Sequence, residues 1–166
     1  MEREEILNLL TLLGGRLHER GLRGEMYVVG GAAMALAFDA RRSTRDIDAV
    51  FEPKMAIYEE AAEMARELSL PAGWLNDAVK GFLGPEDVEA APVLEVPGLR
   101  CLAASPKMLL AMKVLAHRVG EDEGDVRLLA ELLKLSTAAE VLRVVSSVFG
   151  DQLEPAARFF VEELFQ

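Results

Sequence analysis

Apolar residues recur at helical spacing from Glu2 to about Arg20, where Ile6, Leu9, Leu10, Leu13 and Leu17 form one stripe that Gly21 and Gly24 interrupt. That pattern predicts an amphipathic helix covering a sheet. The period then shortens. Tyr27-Val28-Val29 is a β-type run that ends in Gly30-Gly31, and Ala32 to Ala37 carries high helix propensity, so strand, glycine turn and helix are predicted in that order. Asp39 to Arg45 is polar and reads as a loop. Ile47 to Phe51 returns to strand composition before Pro53 closes it.

A second helical spacing runs from about Lys54 to Leu68, and Pro71 and Gly73 break the chain after it. Trp74 to Leu83 follows no clean period and is expected to be a short helix or irregular. Val93 to Val96 and Leu99 to Ala103 are short apolar runs joined by Pro97-Gly98, which predicts a hairpin or two ends of a sheet. Ser105-Pro106 has the form of an N-cap and first helical residue, opening a helix to about Arg118. Three more helices are predicted at about Asp125 to Leu135, Ala138 to Phe149 and Pro155 to Phe165, with Thr137 and Glu140 matching a capping box. The fold class predicted is α/β of the α+β kind. A small mixed-sheet core over 1–104 would carry a C-terminal helical bundle over 105–166.

Composition supports a packed core: 51% of the 166 residues are apolar. No apolar run approaches the roughly 20 residues of a membrane span, and the acidic start differs from the basic start of a signal peptide. A cytoplasmic protein with no membrane partner is the expectation. The single Cys101 sits in an apolar run and reads as a small core residue. A formal charge of −10 weighs against non-specific coating of nucleic acid, which depends on Lys and Arg. Positive charge is instead local: Arg41, Arg42 and Arg45 precede a carboxylate pair, and Lys107, Lys113 and Arg118 fall in one later helix.

The carboxylate pair is Asp46 and Asp48. Side chains alternate across a strand, so the two share one face while Ile47 points into the core. Oxygen-only ligands suit Mg²⁺ or Mn²⁺, and paired ions of that kind serve in-line phosphoryl transfer. Gly30-Gly31 adds backbone that a phosphate can approach, followed by the positive end of a helix. Each signal alone has an ordinary structural explanation: a solvated turn, a tight turn, a basic loop. Their order favours a phosphate-and-metal site.

Val28-Val29-Gly30-Gly31-Ala32-Ala33, followed by Arg42-Ser43-Thr44-Arg45-Asp46-Ile47-Asp48, resembles the signature of the DNA polymerase β-type nucleotidyltransferase superfamily. Within it the similarity is to the AbiEii/MenT-like nucleotidyltransferases, which include toxins of bacterial toxin–antitoxin systems. Trp74-Leu75-Asn76-Asp77 and the stretch from Leu109 through Lys113 and Arg118 to Asp122, Asp125 and Leu129 also resemble that group. The resemblance implies that Gly30 and Gly31 position nucleotide phosphates and that Asp46 and Asp48 bind Mg²⁺ or Mn²⁺. It also implies that Lys113 contacts the triphosphate and that Asp125 completes the site; from the residues themselves, Arg41, Arg42 and Arg45 can add charge beside the glycine pair and Arg118 beside Lys113, which makes Arg45 and Arg118 candidate nucleotide contacts. Glu95 is the candidate for a further carboxylate on a later strand. The activity implied is transfer of a nucleoside monophosphate from a nucleoside triphosphate to an acceptor hydroxyl. The 3′ end of tRNA as acceptor, a toxin role and a cognate antitoxin are implied by the same resemblance.

Lys113, His117 and Arg118 lie within about one turn of helix and can present one cationic face. They also fit an ordinary amphipathic helix whose Met108, Leu109, Met112 and Leu115 face a core. His117 alone reads more readily as a packing residue. Asp122 and Asp125 serve equally well as acidic residues at a helix start. Two readings from different classes therefore stand beside the enzyme: a nucleotide- or partner-binding module of the same fold, and, more distantly, a glycosyltransferase use of Asp-x-Asp.

Overall fold

Strand-forming runs and amphipathic helices alternate through the first hundred residues, and the computed structural model of the chain describes 1–38, 43–78 and 86–166. Two compact units divide it: Met1–Gly81 with Glu89–Ala104, and Phe82–Val88 with Ser105–Gln166. The fold is α+β, and the sheet is mixed.

In the first unit the elements are α1 (Arg3–Glu19), β1 (Gly24–Val29), α2 (Gly30–Ala37), β2 (Ile47–Glu52), α3 (Lys54–Leu68), β3 (Leu75–Asn76), β4 (Ala91–Val96) and β5 (Leu99–Ala103). Among the described residues the five strands lie in the order β3-β2-β1-β5-β4. β1 pairs antiparallel with β2 and parallel with β5; β3 runs parallel to β2, and β4 antiparallel to β5. The stripe read on α1 is the face it buries: Ile6, Leu10, Leu13 and Leu17 are inaccessible. Arg16 and Arg20 then reach Glu59, Glu60 and Glu67 on α3, partly exposed contacts of small individual worth.

The β4–β5 hairpin expected at Pro97-Gly98 meets α1 backbone to backbone. Gly98 has φ +89°, and a Cβ there would stand 1.9 Å from the carbonyl oxygen of Gly14. Both the dihedral and the space therefore demand glycine. Gly98→Ala is expected to cost more than about 2 kcal/mol, read as a lowered midpoint in chemical denaturation. A variant as stable as the wild type would show that α1 does not depend on this contact.

Trp74 to Leu83 departs from the expected helix or irregular stretch. Leu75–Asn76 is a short edge strand beside β2, with Ile47 opposite Leu75 and Asp48 opposite Asn76. Two residues are too few to show a period, so long-range pairing and the buried Trp74, whose Nε1 donates to Ala61 O at 2.9 Å, decide the conformation. Val79 to Leu83 lie outside the described residues, as do Arg41 and Arg42.

The second unit holds α4 (Pro106–Leu115), α5 (Glu123–Leu132), α6 (Ala138–Phe149) and α7 (Pro155–Leu164). Its local signals act as read. Ser105 Oγ accepts from Met108 N at 3.2 Å with Pro106 behind it, and Thr137 and Glu140 form the reciprocal capping box. α4 ends three residues before Arg118, and the turn that follows contains Gly120 at φ +87°. Leu110, Val114, Val126, Leu129, Val141, Val145 and Val161 are buried without exposure. Among the described residues no helix is long and apolar enough to cross a membrane.

Candidate functional site

Burial alternates along β2, with Ile47, Ala49 and Phe51 buried and Asp48 only partly covered; Asp46, just before the strand, is partly covered too. Asp48 thus lies on the face of β2 opposite the core, whereas Asp46 falls in the bend just before the strand, outside the alternation expected to pair the two. Asp48 is the register partner of Val29, the last residue of β1, so it stands beside the point where β1 turns into α2. Gly30 makes that turn at φ +62°, and a Cβ on it would lie 3.4 Å from Asp48 Oδ2. Gly31 is closer still to its neighbour: a Cβ there would be 3.0 Å from Thr44 Oγ1. The glycine pair therefore leaves a small cradle between the start of α2 and the side chains of Thr44 and Asp48.

Two contacts fix the segment entering β2. Thr44 Oγ1 donates to the carbonyl oxygen of Asp46 at 3.0 Å, and the main chains of Thr44 and Met1 exchange hydrogen bonds of 2.7 and 2.9 Å. The N-cap of α2 is Val29, whose side chain makes no capping hydrogen bond to the first N–H groups of the helix. An anionic ligand placed there would meet backbone donors and the positive end of the helix dipole. Arg45 is exposed next to Asp46.

This donor set fits Mg²⁺ or Mn²⁺. The Asp48 carboxylate sits beside a cradle that a Cβ would fill, with Asp46 two residues before it in the chain, and such ions complete their shells with water and phosphate oxygens. Among the described residues no group of three or more His, Cys, Asp or Glu gathers for a metal, so the fit rests on the aspartate pair.

Glu95 lies elsewhere. It is registered with Arg100 on β5, which pairs with Glu25 on β1, which pairs with Glu52 at the far end of β2. That row is four residues from Asp48, about 13 Å along the strands, and Glu95 is three strands away, about 14 Å across. Its carboxylate contacts Arg23 Nη2 at 3.5 Å. Glu95 is thus corrected to an edge-strand ion-pairing residue, because sheet order and strand direction carried it to the opposite end.

In the second unit, Lys113, Asp122, Asp125 and Arg118 form one cluster. Lys113 Nζ is 2.7 Å from Asp122 Oδ1 and 2.9 Å from Asp125 Oδ2. Asp122, at the start of α5, is buried, and its Oδ2 accepts from the Arg118 main-chain N–H at 2.8 Å. Burial pushes the Asp122 carboxyl up, but the bonds from Lys113 and Arg118 outweigh it and hold the group below its ordinary range. Lys113 therefore joins α4 to α5 through two carboxylates. His117 stacks on Phe160 with centroids 5.0 Å apart, the packing role that its composition suggested.

Sequence reasoning gave no part in the site to Thr44 or Asn76. Thr44 is recognisable only once Gly31 is placed against it. Asn76 becomes a neighbour of Asp48 through a two-residue parallel pairing that no local pattern announces. The chain matches no family model, no curated protein and no solved structure.

Proposed function

We propose that this chain is a metal-dependent nucleotidyltransferase whose nucleotide site is the β1–α2 turn together with Asp46 and Asp48. The observation that carries the reading is the Asp48 carboxylate standing 3.4 Å from where a side chain on Gly30 would begin, at the start of α2, where the N-cap Val29 supplies no side-chain cap. Backbone that a phosphate can approach and carboxylate oxygens suited to a hard cation stand together at this one turn.

Asp46 and Asp48 would hold Mg²⁺ or Mn²⁺, which when bound neutralises phosphate charge and supports displacement at phosphorus. Gly30 and Gly31 admit the triphosphate to the backbone, and Arg45 adds positive charge at the rim. An acceptor hydroxyl oxygen attacks the α-phosphorus, the bond to the β-phosphate oxygen breaks, and pyrophosphate leaves; the hydroxyl proton passes to a carboxylate or to water. The resemblance supplies the acceptor, the 3′ end of tRNA, and the toxin role with its antitoxin; with a formal charge of −10 the RNA would have to be gripped locally.

A second reading, a nucleotide-binding module without transfer, is favoured by the position of Glu95, which leaves Asp46 and Asp48 without the later-strand carboxylate expected beside them. Incubating the protein with Mg²⁺, each labelled nucleoside triphosphate and total tRNA separates the two. Labelled RNA with stoichiometric pyrophosphate supports transfer. Nucleotide binding without pyrophosphate supports the module, and no binding of any nucleotide overturns both.

A further inference from the structure

Asn76 is placed opposite Asp48 in the parallel β2–β3 pairing, one strand spacing of about 4.8 Å away. In such a pairing opposite residues share a face, so its side chain belongs to the face that carries Asp48. The orientation of its amide is set. Asn76 Oδ1 accepts from Ala78 N at 3.1 Å, closing an Asx turn, so the oxygen is engaged with the chain itself. Nδ2 makes a single long bond of 3.4 Å to Gly73 O, which leaves its second hydrogen for another acceptor. The group that Asn76 offers is therefore a donor, suited to a phosphate oxygen rather than to a metal.

The next residue fixes this arrangement from the other side. Asp77 accepts from Tyr58 Oη, returns its own N–H to that oxygen at 3.3 Å, and is paired with Lys54 Nζ. Tyr58 is itself held edge-on to Phe51 of β2, with ring centroids 5.1 Å apart. A two-residue edge strand has almost no ladder of its own, so α3 and β2 hold it in register through this cluster.

We infer that Asn76 is a ligand-contacting residue that donates its amide N–H to a phosphate oxygen of the nucleotide at Asp46 and Asp48, and that Tyr58, Asp77 and Lys54 position it. This rests on the nucleotide-site reading above and adds to it a contact and the support behind that contact.

The test is calorimetry on the full chain with Mn²⁺ alone and with the Mn²⁺ complex of each of the four common nucleoside triphosphates. Asn76→Asp keeps the oxygen that accepts from Ala78 but loses the donor and adds a carboxylate beside Asp48. It is expected to bind Mn²⁺ alone at least as tightly as the wild type and the nucleotide complex at least about tenfold more weakly. Asn76→Ala should weaken the nucleotide complex about tenfold and leave Mn²⁺ binding unchanged. Tyr58→Phe should shift nucleotide affinity in the same direction by a smaller factor. Asn76 variants that bind the nucleotide as the wild type does would overturn the contact. Tyr58→Phe with a lowered melting temperature but unchanged nucleotide affinity would overturn the positioning role. A wild type that binds none of the four complexes overturns the site reading and this inference with it.

Discussion

Asp48→Asn is expected to lower nucleotide transfer at least about a thousandfold while leaving the fold intact. The substitution is nearly isosteric, and Asp48 lies on the partly covered face of β2, so no cavity opens in the core formed by Ile47, Ala49 and Phe51. What changes is charge. A carboxylate offers anionic oxygens to a hard cation; a carboxamide offers one neutral oxygen and directs its N–H groups at the same space. Asp46 alone would then hold the ion. Loss of transfer with a melting temperature within about 3 °C of the wild type is the expected pair of results. Full transfer by Asp48→Asn would remove Asp48 from the site and take the proposed function with it.

Features that local chemistry decides were legible in the residues. Ser105-Pro106 and Thr137 with Glu140 name their helix starts because a cap is a contact over three residues. The outward face of Asp48 follows from the period of a strand, whereas Asp46 falls in the bend before β2 and escapes that period. The cradle is different, since it depends on the antiparallel register that sets Val29 against Asp48 across the whole β1–β2 connection. Glu95 shows how that kind of information is lost. Its strand was identified, but the order β3-β2-β1-β5-β4 and the direction of β4 are properties of the sheet, and they put its carboxylate at the wrong end. Leu75–Asn76 was missed for a related reason. Its strand character comes from β2 and Trp74, and the polar neighbour of Asp48 came with it.

Replacing Lys113 should strongly destabilise the helical unit, and the reason also bears on what this residue does. Its ammonium lies between Asp122 and Asp125, and the Asp122 side chain is only 3% exposed. Lys113→Met keeps the apolar stem but leaves a buried carboxylate without its main cationic partner, which costs about 3–5 kcal/mol. The pH dependence has a definite sign. In the wild type the Asp122 carboxyl is held below its ordinary value. Its contribution is therefore present above the unfolded-state value of about 3.9 and is lost as pH falls through the folded one. In Lys113→Met burial still disfavours the charge while the strongest opposing bond is gone, so the carboxyl rises. The deficit should then be largest near neutral pH and close as acid protonates the group. Chemical denaturation of both proteins at pH 7 and pH 4.5 measures it, and Lys113→Met with Asp122→Asn should recover part of the loss at pH 7. Equal stability of Lys113→Met and the wild type at pH 7 would show that the ammonium is not the clamp between α4 and α5. In that case the triphosphate contact implied by the resemblance becomes the better account of Lys113. A deficit of the expected size means that any phosphate reaching this lysine has to compete with two carboxylates already in place.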